Sequence, residues 1–201
     1  MTYDFDQIIP RNHTNSLKYD FAKERGKPDG LLPMWVADMD FQTPLAVREA
    51  LADKAAHGIF GYSEPDDTYF EALAQWFGTR HNWTVDPYAS VRAPGVVFAI
   101  CTLIRCLTQP GDAVLIQEPV YYCFKEGIVD NHRKVVVNEL LFDGNQYHID
   151  FKDFERKIIE NDVKLFILCS PHNPVGRVWT KDELERMAEI CLRHDVFVVA
   201  G

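Results

Sequence analysis

The stretch PGVVFAICTLIRCLTQPGDAVLIQEPVYYCF, residues 94–124, carries the pattern that decides the fold. It predicts an apolar helix that opens at Pro94-Gly95 and ends near Leu107, followed by a turn over residues 109–112. A nearly all-apolar strand, AVLIQ (113–117), comes next, and a second helix is expected over residues 121–129. Buried strands between helices are typical of a parallel sheet that is covered on both faces, so the stretch predicts an α/β fold.

The same alternation continues downstream, with further strands predicted over residues 134–141, 164–169 and 196–200. Asp150 is the expected N-cap of a charged helix over 151–161, and Thr180 with Glu183 forms a capping box at the start of the last helix. The pattern therefore predicts three layers, α/β/α, around a mostly parallel sheet. Functional residues in such folds lie in the loops after the strands. Here these are the loops 118–123 and 170–177 and whatever follows Ala200.

The chain changes character near Thr43. Residues 1–41 are irregular around one apolar patch, LLPMWVADMDF (31–41). From Thr43-Pro44, which we expect to act as N-cap and first helical residue, one helix should run to Gly58. A second is expected over residues 67–79, and then a connection over 80–92 with a short strand near its end.

Composition and charge exclude several classes of protein. The 201 residues are 47% hydrophobic and 12% aromatic, which excludes a disordered chain. The formal charge is −9 and lysine and arginine form no cluster, so we expect neither a nucleic-acid nor a membrane partner. The first ten residues lack the features of a secretory signal, and no apolar run is long enough to span a bilayer. Five cysteines without CxxC spacing indicate reduced thiols and a cytoplasmic location.

Three segments place polar groups with glycine or proline beside predicted strands or helices. They are RAPGVVFAI (92–100), EPVYYCF (118–124) and SPHNPVGRVW (170–179). The first could bind phosphate at a helix N-terminus, and each of the three could equally be ordinary turn or core structure. Nucleotide-binding glycine motifs and a serine-hydrolase elbow are absent from the sequence, and its seven histidines are scattered, so no metal site is expected.

Taken together with WVADMDF (35–41) and GIFGYSEP (58–65), these segments resemble the fold-type I enzymes that use pyridoxal 5'-phosphate (PLP). These enzymes form the aminotransferase class I/II superfamily, and the resemblance is closest to its cystathionine β-lyase-like carbon–sulfur lyases, the MalY/PatB group. It implies a PLP-dependent β-lyase that acts on a small sulfur-containing amino acid and releases a thiol, pyruvate and ammonia. An aminotransferase is the alternative. A catalytically inactive binding or structural domain is an alternative of another class.

The resemblance also implies roles for individual residues. Asn173 would hydrogen-bond the phenolate oxygen of PLP, and Tyr121 would stack on its pyridine ring. The backbone N–H groups of Val96 and Val97 would bind its phosphate at the start of a helix.

Further implications concern the substrate, the partner subunit and the extent of the chain. Ala37 would line the substrate side, and Tyr62 would reach the phosphate of a partner subunit, which implies a homodimer with shared active sites. Residues 1–42 would belong to the small domain and 43–201 to the first part of the large PLP-binding domain. The lysine that carries PLP would follow Gly201, so the resemblance covers the N-terminal half of the family fold, and we expect an exposed apolar sheet edge.

Overall fold

The computed structural model describes residues 3–28 and 30–201 of the chain. It contains two compact units, one up to Ala72 and the other Leu73–Gly201, and the boundary lies inside a helix. The assignment of residues 1–42 to a small domain and of 43–201 to a large one stays a prediction.

Before its helices, the described residues of the first unit are irregular apart from a 3-10 turn at Lys23–Arg25. Helix α1 (Leu45–His57) ends at Gly58, whose φ of +73° favours glycine because the residue has no Cβ. Pro44, not Thr43, is the N-cap, so the predicted start is wrong by one residue. The fixed φ of proline suits it to the edge of the helix, and no side chain caps the first turn. Helix α2 (Asp67–His81) crosses into the second unit.

The second unit alternates helices and strands. In chain order, its elements are α3 (Val96–Leu107), β1 (Ala113–Glu118), α4 (Tyr122–Asp130), β2 (Lys134–Glu139), β3 (Leu141–Phe142), β4 (Tyr147–His148), α5 (Phe151–Asn161), β5 (Val163–Leu168), α6 (Lys181–Arg193) and β6 (Phe197–Ala200). Four strands form one parallel sheet in the order β2-β1-β5-β6, and β3 pairs with β4 in a short antiparallel hairpin. The predicted parallel sheet is confirmed.

Two apolar cores lie on the two faces of this sheet, because successive side chains of a strand point to opposite faces. Leu115 of β1 packs in one core with Phe154 of α5 and with residues of α6. Val114 packs in the other core with Ile104 of α3 and with residues of α4. The helices therefore cover both faces, as the three-layer prediction requires.

Local capping signals are found where the sequence places them. The Asp150 carboxylate accepts from the N–H groups of Lys152 and Asp153, and the capping box of Thr180 and Glu183 is complete. These bonds satisfy N–H groups that a helix start leaves without partners.

Two strand predictions are wrong. The connection over residues 80–92 forms a 3-10 turn, Pro87–Ala89, capped by Asp86, in place of a strand. The strand expected over 134–141 ends at Glu139, because its pairing partner β1 ends opposite it at Glu118; the Leu140 N–H makes a last bond to the Glu118 carbonyl at 2.8 Å. Leu141 and Phe142 then pair with the nearby β4.

The strand β6 lies at the edge of the sheet, and its Phe197 and Val198 are exposed, which agrees with the expected apolar edge. Over the described part of the chain, no helix combines the length and the hydropathy that a membrane span requires.

Candidate functional site

The carboxyl ends of β1, β5 and β6 meet at one edge of the sheet because the three strands are parallel neighbours. Hydrogen bonding continues past the last two strands. The Gly201 N–H donates to the Leu168 carbonyl at 2.9 Å, and the Ser170 N–H donates to the Gly201 carbonyl at 3.2 Å. The loop after β5 is thereby fixed beside the end of β6.

The first turn of α3 reaches the same edge. A methyl group added at Gly201 would lie 3.3 Å from Ile100 Cδ1, 3.7 Å from Val96 Cγ1 and 3.8 Å from the Phe124 ring. The end of β6 therefore lies against the start of α3 and the first turn of α4.

The start of α3 is suited to an anion. Its N-cap, Gly95, has no side chain, and the first turn contains no acidic residue. The first helical hydrogen bond runs from the Ala99 N–H to the Gly95 carbonyl at 3.0 Å, so the N–H groups of Val96 and Val97 precede the helical ladder. They lie at the positive end of the helix dipole, and both residues are exposed.

Tyr121 stands at the start of α4, directly after the β1 loop. Its ring packs edge-on against Phe124, with the centroids 6.0 Å apart, and against Tyr122 at 5.2 Å. Hydrogen bonding to the Cys123 side chain and burial raise the pKa of Tyr121 to about 12. Its phenol therefore stays neutral at physiological pH.

Asn173 lies in a tight loop after β5. The His172 N–H donates to the Arg177 carbonyl at 2.7 Å, and the Gly176 N–H donates back to the His172 carbonyl at 2.8 Å. The Asn173 N–H donates to Cys169 Sγ at 3.4 Å, which fixes its backbone. Its side chain is exposed and makes no hydrogen bond with any described residue, so its amide can bind a ligand.

The sequence analysis missed two buried side chains of this loop, His172 and Trp179. His172 Nε2–H donates to the Pro119 carbonyl at 2.9 Å, and Trp179 Nε1–H donates to the Cys169 carbonyl at 3.0 Å. The two rings pack edge-to-face, with centroids 5.3 Å apart. Their only signal in the sequence was their place within SPHNPVGRVW, on either side of Asn173.

Four of the six predicted site residues lie around this edge of the second unit, namely Val96, Val97, Tyr121 and Asn173. The other two belong to the first unit, where Tyr62 is fully exposed. Ala37 is also exposed and follows Val36, whose φ of +61° is rare for a β-branched residue. Lys18 Nζ donates to the Asp38 carbonyl at 3.0 Å and so holds the backbone after Ala37.

The groups that the second unit offers to a ligand at this sheet edge are backbone N–H groups, a side-chain amide and an aromatic ring. Among residues 3–28 and 30–201, no group of histidine, cysteine or acidic side chains could hold a metal ion. A flat ligand that carries an anionic group fits such donors, because helix N–H groups bind the anion and a ring supports the plane.

Comparison with known sequences identifies the family of the chain. The family described as aminotransferase class I and II matches residues 31–200, most of the chain. The chain belongs to this family.

Cystathionine beta-lyase PatB of Bacillus subtilis is 44% identical over 197 residues, which are 98% of this chain and 51% of that protein. Protein MalY of Escherichia coli is 36% identical over 199 residues, which are 98% of this chain and 51% of MalY. The present structure also matches the solved structure of the PLP-bound C-S lyase from Staphylococcus hominis, with a TM-score of 0.91 and 34% sequence identity. The match covers 100% of this chain and 51% of the Staphylococcus hominis chain. This aminotransferase-family chain thus spans about half the length of the curated relatives it matches.

Proposed function

We propose that this chain forms the cofactor-binding part of a PLP-dependent carbon–sulfur β-lyase of the cystathionine β-lyase type. The substrate would be a small sulfur-containing amino acid, and the products a thiol, pyruvate and ammonia. The observation that carries the proposal is the meeting of the uncapped α3 start with the loops of Tyr121 and Asn173 at one sheet edge. The similarity to PatB and to the Staphylococcus hominis C-S lyase supports the choice of a lyase.

Each proposed contact uses a group that the protein leaves available. The N–H groups of Val96 and Val97 would bind the phosphate, because the N-cap Gly95 offers no competing acceptor. The Asn173 amide would donate to the phenolate oxygen of PLP, since it has no hydrogen-bond partner among the described residues. The neutral ring of Tyr121 would support the pyridine ring.

When bound, PLP supplies an electron-withdrawing ring that stabilises negative charge on the substrate α-carbon. The residues of this chain bind and orient that ring. The Asn173 amide would place a donor beside the phenolate, a charge-assisted bond of the stronger kind. The helix dipole of α3 would offset part of the phosphate charge.

The remaining roles concern the first unit and the assembly. We propose that residues 1–42 belong to a small domain that brings Ala37 to the substrate, and that 43–201 begin the large domain. The fully exposed Tyr62 would reach the phosphate of a partner subunit in a homodimer. Five free cysteines support a cytoplasmic location.

An aminotransferase is the second candidate, because the family that matches residues 31–200 is described by that activity. The two candidates share the cofactor site and differ in products. A lyase converts cystathionine and water to a thiol, pyruvate and ammonia, and needs no amino acceptor. An aminotransferase needs a 2-oxo acid as amino acceptor.

The test is a titration of the protein expressed from its complete gene with PLP, followed by visible absorbance, and then an assay of pyruvate release from cystathionine. Tyr121→Leu should raise the dissociation constant of PLP roughly 2- to 10-fold, the size of one aromatic contact. Val129→Ala, which changes an exposed residue near the end of α4, is the control. Equal dissociation constants for Tyr121→Leu and wild type would reject the stacking role, and absence of PLP binding would reject the cofactor.

A further inference from the structure

The buried side chain of His172 connects the loop of Tyr121 to the loop of Asn173. His172 Nε2–H donates to the Pro119 carbonyl at 2.9 Å, a bond between residues 53 positions apart in sequence. Pro119 comes two residues before Tyr121, and His172 comes directly before Asn173. The bond therefore joins the two loops next to the residues that would contact PLP.

The imidazole has little freedom to move. His172 is 1% exposed, and its ring packs edge-to-face on Trp179 at an interplanar angle of 81°. Trp179 is itself held by its indole N–H, which donates to the Cys169 carbonyl. The residue before Asn173 thus has a fixed ring that points its Nε2 at the other loop.

The ring is held in one chemical form. A carbonyl oxygen only accepts hydrogen bonds, so Nε2 must carry the proton toward Pro119. Nδ1 is buried without a hydrogen-bond partner among the described groups. Burial also lowers the pKa of His172, because the charged imidazolium would lose its hydration there. The neutral Nε2–H tautomer is therefore the form that connects the loops.

We propose that His172 is a positioning residue whose bond to the Pro119 carbonyl sets the spacing between the Tyr121 ring and the Asn173 amide. The inference rests on the proposed function for its effect on PLP. A side chain that fixes two loops before the ligand arrives removes an ordering cost from binding. Loss of the bond should therefore weaken PLP binding although His172 itself does not contact PLP.

Two amide substitutions at residue 172 differ in reach and not in polarity. The amide nitrogen of glutamine extends about as far from Cα as Nε2 of histidine, whereas that of asparagine corresponds to Nδ1. His172→Gln should keep the bond to Pro119, and His172→Asn should lose it. We expect the PLP dissociation constant to rise about tenfold in His172→Asn and to stay within about threefold of wild type in His172→Gln.

A second readout needs no cofactor. Hydrogen exchange followed by mass spectrometry on the apo protein should show faster exchange over residues 119–130 in His172→Asn than in His172→Gln. A merely local role of His172 would change exchange over residues 169–179 alone. Phe154→Leu is the control for general destabilisation, because Phe154 is fully buried between α5 and β5 and packs on Phe166.

The outcomes separate this inference from the proposed function. If wild type binds PLP and both amide variants bind it equally well, or equally poorly, the positioning role is overturned. If wild type binds no PLP, the proposed function fails and exchange alone decides the role of His172. Faster exchange over 119–130 in His172→Asn only would then support the connection, and unchanged exchange would overturn it.

Discussion

Replacing Asn173 by alanine should separate the affinity for PLP from the stability of the fold. The backbone of Asn173 is fixed by its N–H bond to Cys169 Sγ and by the loop hydrogen bonds between His172 and Arg177. Its side chain is exposed and has no hydrogen-bond partner in the described chain. The amide thus contributes little to folding, and its proposed contribution is to the ligand.

The expected effect of Asn173→Ala on PLP affinity is much larger than its expected effect on the free energy of unfolding. An exposed side chain without partners changes the free energy of unfolding by at most about 0.5 kcal/mol when it is removed. A hydrogen bond to a charged oxygen contributes about 1.5–3 kcal/mol. Because about 1.4 kcal/mol corresponds to a factor of ten, Asn173→Ala should raise the PLP dissociation constant roughly 10- to 150-fold.

Both quantities are measured on the protein expressed from its complete gene. Urea unfolding of the apo form gives the stability, and an absorbance titration with PLP gives the affinity. Val178→Ala, at an exposed position of the same loop, serves as the control and should leave both unchanged. An unaltered dissociation constant in Asn173→Ala, or a loss of stability well above 0.5 kcal/mol relative to the control, would refute the assignment of the amide to the cofactor.

Three predictions concern the scaffold. Phe154→Ala should lower the free energy of unfolding by about 3–5 kcal/mol, because removal of its fully buried ring leaves a cavity. The control, Ile159→Ala on the exposed side of α5, should cost under about 0.5 kcal/mol. Equal urea midpoints of unfolding for the two variants would contradict this prediction. Thr180→Ala should cost about 1 kcal/mol through loss of the α6 capping box, and an unchanged urea midpoint would argue against the box. The Asp143 carboxylate accepts several hydrogen bonds, and the bond from the Gln146 N–H has the largest effect. Together they lower the pKa of Asp143 from 3.8 to about 2. Its folded pKa is below its unfolded one, so its contribution to stability is present above pH 3.8 and is lost as the pH falls toward about 2. A carboxyl NMR titration with a midpoint near 3.8 would contradict it.

Much of the second unit could be predicted because its signals are local. The caps at Asp150 and Thr180 act within one helical turn, and strands β1 and β5 are continuous apolar runs. The errors arise where structure depends on a distant partner. The ladder between β2 and its distant partner β1 ends at Glu139 and Glu118, and no local pattern of residues 134–141 indicates this end.

The sequence by itself determined the alternation of helices and strands and the three segments that meet at the sheet edge, since hydrophobic period and capping residues act over short distances. Only the tertiary structure decided the strand order β2-β1-β5-β6 and the hydrogen bond from His172 to Pro119. Strand order depends on which apolar faces pack against which helices, and that bond depends on two loops brought together by β1 and β5. Both are properties of the packed sheet, because the residues that meet there are far apart in the chain.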